Sequence, residues 1–213
     1  NDDMQEGRAI IANIKRMLFY LLSTNAGEIL TMIGALLVGT KLPLEAVQIL
    51  WVNLVTDTSM VIPLGLEPAE KNIMKQKPLK PNEPILGRKM IVRTIISAVT
   101  IAALTLATYL VFLDAGGHAY AQTMAFAALI VSQWGNAFSA GSDNESVFSR
   151  LKVMKRNFYA SLLISIGLQG LVFFGPLGSV LHIASVDWQH LVIVSILGFI
   201  APIIVCELHK LFT

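Results

Sequence analysis

Long apolar runs separated by short polar stretches dominate this chain. Each run is about 20 residues long, which is the length that an α-helix needs to cross a bilayer. The runs occupy residues 17–38, 44–66, 94–113, 121–140, 158–180 and 188–206. We therefore predict an all-α fold, a polytopic membrane bundle of six transmembrane helices.

The composition supports a membrane protein and excludes an ordinary soluble domain. The chain has 213 residues, of which 54% are hydrophobic and 14% are charged, whereas about 25% are charged in a typical soluble domain. We expect the lipid bilayer as a partner and no nucleic acid. Cys206 is the only cysteine, so an intramolecular disulfide is excluded and a buried thiol is predicted. The chain begins with Asn1, and we expect it to be a piece of a longer protein.

The positions of lysine and arginine predict the orientation in the membrane. If the six runs alternate in direction, all of the 16 lysines and arginines except Lys41 fall on one side. That side is the cytoplasm by the positive-inside rule, so both termini of this multi-pass protein are predicted to be cytoplasmic. Residues 67–93 carry prolines and lysines without apolar periodicity, which predicts an extended cytoplasmic loop. If the source is prokaryotic, we expect the plasma membrane.

Carboxylates inside the apolar runs give the strongest functional signal. Glu28 and Asp57 lie in the middle of the first two runs, where a charge costs about 2.5 kcal/mol or more. Asn25 precedes Glu28 by three residues, and Asn53 and Thr56 precede Asp57 by four and one. On a helix, residues at i, i+3 and i+4 share one face. Carboxylate, amide and hydroxyl oxygens bind hard cations, so we predict an ion site inside a membrane transporter.

This site divides the chain into an ion-binding helix pair, residues 17–66, and four supporting helices within residues 94–213. The apolar run around Asp57 contains Pro63, which predicts either a simple kink or a second helix interrupted near mid-membrane. Gln133 in the fourth run either reaches the same cavity or bonds a neighbouring helix. Thr56 either contributes to the ion site or bonds back to its own helix, as buried threonines often do.

The electrostatics of the two acids suggests that a cation and protons exchange at the site. Glu28 and Asp57 would repel each other if both were ionised in one low-dielectric cavity, and a bound cation removes that repulsion. Protons would take its place when the site is empty, which leads to the hypothesis of cation–proton countertransport. A six-span channel or secondary transporter is the alternative from another class, whereas a non-transporting scaffold leaves both acids without a physical reason.

At these positions the sequence resembles the C-terminal membrane region of P-type cation ATPases, and within them the calcium pumps of the sarco/endoplasmic-reticulum type. The similar stretches follow the family order along nearly the whole chain. Among them are residues 23–28 (STNAGE), 48–57 (QILWVNLVTD), 64–68 (LGLEP) and 142–146 (SDNES).

The resemblance implies that the six runs are the fifth to tenth spans of a ten-span pump, with residues 1–16 entering from a cytoplasmic stalk. The positions that it places on the family's metal ligands are Asn25, Glu28, Asn53, Thr56 and Asp57. Gln133 stands where the reticulum-type pumps have a glutamate, which favours one ion per cycle. The implied function is the membrane half of an ATP-driven pump that moves calcium out of the cytoplasm. Pumps for sodium, potassium or manganese are the near alternative.

The family's phosphorylated Asp-Lys-Thr-Gly-Thr motif does not occur in the chain. We therefore expect the phosphorylation, nucleotide and actuator domains and the first four spans to belong to a missing N-terminal part. Magnesium and ATP are expected to bind only in those domains, and calcium is expected here as the transported ion. This chain alone is predicted to lack catalytic residues and to be unable to hydrolyse ATP.

Overall fold

The computed structural model describes residues 2–65, 87–140 and 156–212, and these residues form helices without any strand. The helices are Asp2–Val38 (α1), Ala46–Leu64 (α2), Arg88–Ala140, Arg156–Phe174 (α5) and Trp188–Phe212 (α6). All of these except α5 are long and apolar enough to cross a membrane, and residues Phe158–Phe174 of α5 form a shorter apolar helix. The all-α membrane fold is confirmed, whereas the number of six crossings stays a prediction.

Helix Arg88–Ala140 consists of two segments that meet at a kink. Gly117 has φ 83° and ψ −179°, a conformation that glycine adopts readily because it lacks a Cβ. Tyr109 and His118 share a hydrogen bond of 2.7 Å across the kink, although residues nine apart in a straight helix lie about 13 Å apart along the axis. The chain therefore bends sharply here, and we name residues 88–116 α3 and residues 118–140 α4.

Helix α1 is continuous over 37 residues. At 1.5 Å per residue it is about 55 Å long, which exceeds the roughly 30 Å of a hydrocarbon core. Its fourth turn contacts the residue that follows α2, because the Asn13 side-chain amide donates to the Gly65 carbonyl at 3.1 Å. Arg16 is buried one turn later and donates to Asn13. The predicted stalk entry, residues 1–16, thus belongs to the same helix as the first apolar run from residue 2 onward.

Helix α2 contains a π-helical turn over Val52–Thr56, where the Asp57 N–H donates to the Val52 carbonyl five residues earlier. The backbone keeps right-handed helical dihedrals at Trp51, Thr56 and Asp57. Pro63 is buried within the last turns, and the helix ends at Leu64. An unwound break near mid-membrane is therefore not confirmed, and the irregularity that the structure shows is the π-turn.

The loops differ from expectation at two places. Residues 88–93 begin helix α3 instead of extending the loop predicted over residues 67–93, and Arg93 is buried with its Nε donating to His209 of α6 at 3.1 Å. Residues 67–86 of that loop and the SDNES stretch lie outside the described residues. The apolar run 158–180 forms a helix only as far as Phe174, since Pro176 begins a short 3₁₀ turn.

Helix α4 is the centre of the described bundle. Every residue from position 121 to position 140 is buried except Trp134, which is partly buried. Glycines allow α6 to approach closely, since a Cβ built on Gly135 would lie 2.2 Å from the Phe199 carbonyl oxygen. A Cβ built on Gly198 of α6 would lie 2.5 Å from a side-chain methyl group of Val131 on α4. Small residues at such crossings let membrane helices pack through their backbones, and this packing places the polar side chains of α4 against α1.

Candidate cation site

The two predicted acids meet between α1 and α2. Glu28 is 5% exposed and Asp57 is 3% exposed. One terminal amide atom of Asn53 lies 3.1 Å from Glu28 Oε1, 3.2 Å from Glu28 Oε2 and 3.2 Å from Asp57 Oδ2. With the amide nitrogen in that position, Asn53 donates to both carboxylates and bridges them. The structure therefore brings together three of the residues that the sequence places at the site.

Two further side chains donate hydrogen bonds to these carboxylates. The Tyr20 hydroxyl donates to Asp57 Oδ1 at 3.2 Å, and the Gln133 amide of α4 donates to Glu28 Oε1 at 3.3 Å. Gln133 thus reaches the acid pair, which was one of its two predicted alternatives. Tyr20 was missed in the sequence, where it lies eight residues before Glu28 on α1 and about 80° away from it around the helix.

A polar stripe on α4 continues from Gln133 towards the start of α1. Asn136 follows Gln133 by one turn and donates to the Ser23 hydroxyl at 2.6 Å. The side-chain oxygens of Gln133 and Asn136 are both buried without a hydrogen-bond partner among the described residues. Buried polar atoms are normally paired, so these two oxygens are available to a cation or a water molecule on the α1 side of α4.

Asn25 lies on the open side of the site. It lines a cavity of about 430 Å³ together with Glu28 and Asn53. Asn25 and Asn53 are exposed there, whereas both acids are buried. The remaining walls are apolar and come from Ile29, Met32, Ile33, Leu36 and Ile49. Both asparagines are thus reached from an apolar pocket that Glu28 also lines.

Thr56 does not face the acid pair. Its hydroxyl accepts a hydrogen bond of 2.9 Å from the Gln169 amide of α5, and Gln169 Oε1 accepts one of 3.1 Å from the Trp51 indole. Neither predicted alternative for Thr56, the ion cavity or its own helix, describes this contact. Gln169 was missed in the sequence, where its one signal is that it is the lone amide within the apolar part of α5.

The arrangement supplies part of a shell of hard oxygen ligands. The Glu28 and Asp57 carboxylates are hydrogen-bonded to the amides of Asn53 and Gln133, and Ca²⁺ takes six to eight oxygens of these kinds. Within the described ranges, no group of three or more His, Cys, Asp or Glu residues is suited to a metal ion. Carboxylate and amide oxygens such as those present favour a hard cation over a transition metal.

Comparisons with known proteins agree with this chemistry. Residues 41–212 match the family model described as "Cation transporting ATPase, C-terminus". A calcium-transporting ATPase of Bacillus subtilis is 36% identical over 192 residues, which cover 87% of this chain and 22% of the relative. Calcium-transporting ATPase 1 of Bacillus cereus is 32% identical over 98% of this chain and 25% of its own length. Calcium-transporting ATPase type 2C member 2 of mouse is 29% identical over 98% of this chain and 22% of its own length.

Proposed function

Because the chain belongs to the family of cation transporting ATPase C-termini, we propose that it is the membrane half of an ATP-driven P-type pump that moves calcium out of the cytoplasm. The observation that carries this proposal is the buried pair of Glu28 and Asp57, bridged by the Asn53 amide. Two buried carboxylates are costly in a membrane unless they have a functional partner. The calcium-transporting relatives favour calcium as that partner.

We assign the ion's ligands to Asn25, Glu28, Asn53, Asp57 and Gln133. Turning the Asn53 amide by half a rotation places its oxygen where the bridging nitrogen lies. Oxygens separated by 3.1–3.2 Å, the spacing found around Asn53, suit a shared Ca²⁺ at about 2.3–2.6 Å from each. The bound cation then replaces the amide hydrogens as the positive partner of both acids.

The rest of the pump lies outside this chain in our proposal. The chain covers only 22–25% of the length of its bacterial calcium-transporting relatives. We infer that an N-terminal part closes the open cavity beside Asn25, adds further ligands, and contains the domains that bind ATP and magnesium. This chain would not hydrolyse ATP alone. The strong bias of lysine and arginine to one side supports cytoplasmic termini.

The decisive experiment is ion-dependent ATP hydrolysis by the full-length protein in sealed vesicles, with calcium, manganese, sodium and potassium titrated separately. We expect stimulation by calcium at about micromolar concentration. A pH indicator inside the vesicles should report proton loss during calcium uptake, because protons replace the ion at the acids. Stimulation by a monovalent ion would overturn the assignment of calcium as the transported ion. If none of the four ions stimulated ATP hydrolysis, the result would favour a channel or secondary transporter.

Replacing Gln133 with glutamate should increase the calcium bound per phosphorylated pump from one ion towards two. The new carboxylate would lie beside Glu28, whose Oε1 accepts from the Gln133 amide at 3.3 Å, and it would supply the charge that a second Ca²⁺ needs. Radioactive calcium binding at saturation measures the count. Gln122→Glu is the matched control on the same helix, because Gln122 donates to the Leu42 carbonyl away from the acids. An unchanged count and affinity in Gln133→Glu would assign Gln133 to packing.

A further inference from the structure

One glutamine of α5 is hydrogen-bonded to both ends of the irregular turn in α2. Gln169 Oε1 accepts from the Trp51 indole N–H at 3.1 Å, and its amide nitrogen donates to Thr56 Oγ1 at 2.9 Å. Gln169 is 4% exposed and Thr56 is fully buried. The π-turn occupies the residues from Val52 to Thr56, so the two contacts bracket it.

The bridge depends on the π-helical register. Trp51 and Thr56 are five residues apart, and in an α-helix such residues point about 140° away from each other. In a π-helix, hydrogen bonds join residues five apart, which brings these two side chains towards the same neighbour. The backbone bond from Asp57 to Val52 has the same spacing. One short side chain on α5 can therefore hold both groups only while the π-turn exists.

The same register decides where the Thr56 hydroxyl points. In a regular α-helix Thr56 would share a face with Asn53 and Asp57, and these two contact each other in the structure. The π-turn and its bridge orient Thr56 to α5 instead. The Thr56 hydroxyl, which is only one residue away from Asp57, is consequently bonded to α5 and not to the acid pair. π-Turns of this kind are frequent at functional sites.

We propose that Gln169 is a positioning residue that latches the π-turn and keeps the Thr56 hydroxyl away from the cation site. Calcium binding breaks the latch, α2 returns to α-helical register, and Thr56 becomes a ligand. The inference rests on the proposed function. The latch opposes binding because it stabilises only the conformation in which the Thr56 hydroxyl bonds α5, and a ligand shifts such an equilibrium by its preference for the other state.

The test is calcium-dependent phosphorylation of the full-length pump carrying Gln169→Met, which keeps the shape but removes both hydrogen bonds. We expect the half-saturating calcium concentration to fall about two- to tenfold, the effect of losing the hydrogen bonds of one buried side chain. Ser165→Ala is the control, since it removes a single bond of 3.0 Å between α5 and Trp134 and should leave the calcium dependence unchanged. In a Thr56→Val background, Gln169→Met should not tighten binding, because no hydroxyl remains to be released.

A spectroscopic readout follows the latch directly. In a Trp134→Phe, Trp188→Phe background Trp51 is the only tryptophan of this chain, and tryptophans elsewhere in the full-length protein are replaced as well. Calcium should then change the emission of Trp51 as its indole loses Gln169. The change should be absent in Gln169→Met. A structural role alone predicts neither this difference nor tighter binding.

Unchanged or weaker calcium binding in Gln169→Met would overturn the latch while leaving the pump intact. If that variant does not accumulate, Trp51→Phe removes the other end of the bridge and should tighten binding in the same direction. Failure of Trp51→Phe to do so would also overturn the proposal. A wild-type protein that does not respond to calcium would instead contradict the proposed function itself.

Discussion

Asp57→Asn should abolish calcium-dependent phosphorylation of the full-length pump, with a loss of calcium affinity of more than about 100-fold. The substitution keeps the shape but removes a charge that is 3% exposed and faces Asn53 and Tyr20. Removing one member of a buried charged pair typically costs about 3–5 kcal/mol, and here the lost attraction is that between Asp57 and the cation. Phosphorylation from ATP at increasing calcium measures the effect.

The fold should tolerate this substitution, because an asparagine at position 57 still accepts from the Tyr20 hydroxyl. Thermal denaturation in detergent should give nearly the wild-type midpoint. Asp114→Asn makes the same chemical change at an exposed position near the kink between α3 and α4 and should alter neither property. Phosphorylation of Asp57→Asn at the wild-type calcium concentration would remove Asp57 from the ligand set.

Gly135→Ala should destabilise the protein by about 1–3 kcal/mol, the usual cost of forcing a methyl group into a packed interior. The added Cβ would lie 2.2 Å from the Phe199 carbonyl oxygen and 3.1 Å from its carbonyl carbon. These are backbone atoms of α6, so relief requires the two helices to separate. We expect a lower denaturation midpoint in detergent and reduced accumulation in the membrane.

Gly167→Ala is the matched control for that prediction. It adds the same methyl group to a helix, but nothing lies within 4 Å of the built Cβ. Alanine is the better helix former by about 1 kcal/mol, so this variant should be as stable as the wild type or more so. Equal stability of the two variants would show that α4 and α6 are not packed through Gly135.

Part of the candidate site was predictable because helical periodicity is local. Asn53 and Asp57 lie four residues apart, and that spacing predicts their shared face. The proximity of Glu28 and Asp57 was predictable from their charges. Each carboxylate in an apolar run needs a partner, and one bound cation can serve two carboxylates from adjacent runs. Tyr20 and Gln169 were not predictable in this way, because each contacts its partner across a long sequence separation.

The backbone of α2 shows the limit of reading a helix from its residue types. Pro63 indicated a possible break, yet the helix continues through it to Leu64. The irregularity lies earlier, at Val52–Thr56, where no proline or glycine occurs. A π-turn adds a residue without a local sequence signal, and its bridge to Gln169 depends on a helix more than 100 residues away. The orientation of Thr56 therefore followed from tertiary contacts.

The membrane fold followed from the sequence because a hydrocarbon core leaves every backbone hydrogen bond to be made within each helix. The lengths of the apolar runs, the acids within them and the distribution of lysines can consequently be read from each segment of the sequence without knowing how the helices pack. The pairing of the helices is different, since lipid is as apolar as leucine and does not favour one apolar face over another. Close packing at glycines and hydrogen bonds between helices decided that α4 lies at the centre, that Gln133 reaches Glu28, and that Gln169 holds Thr56.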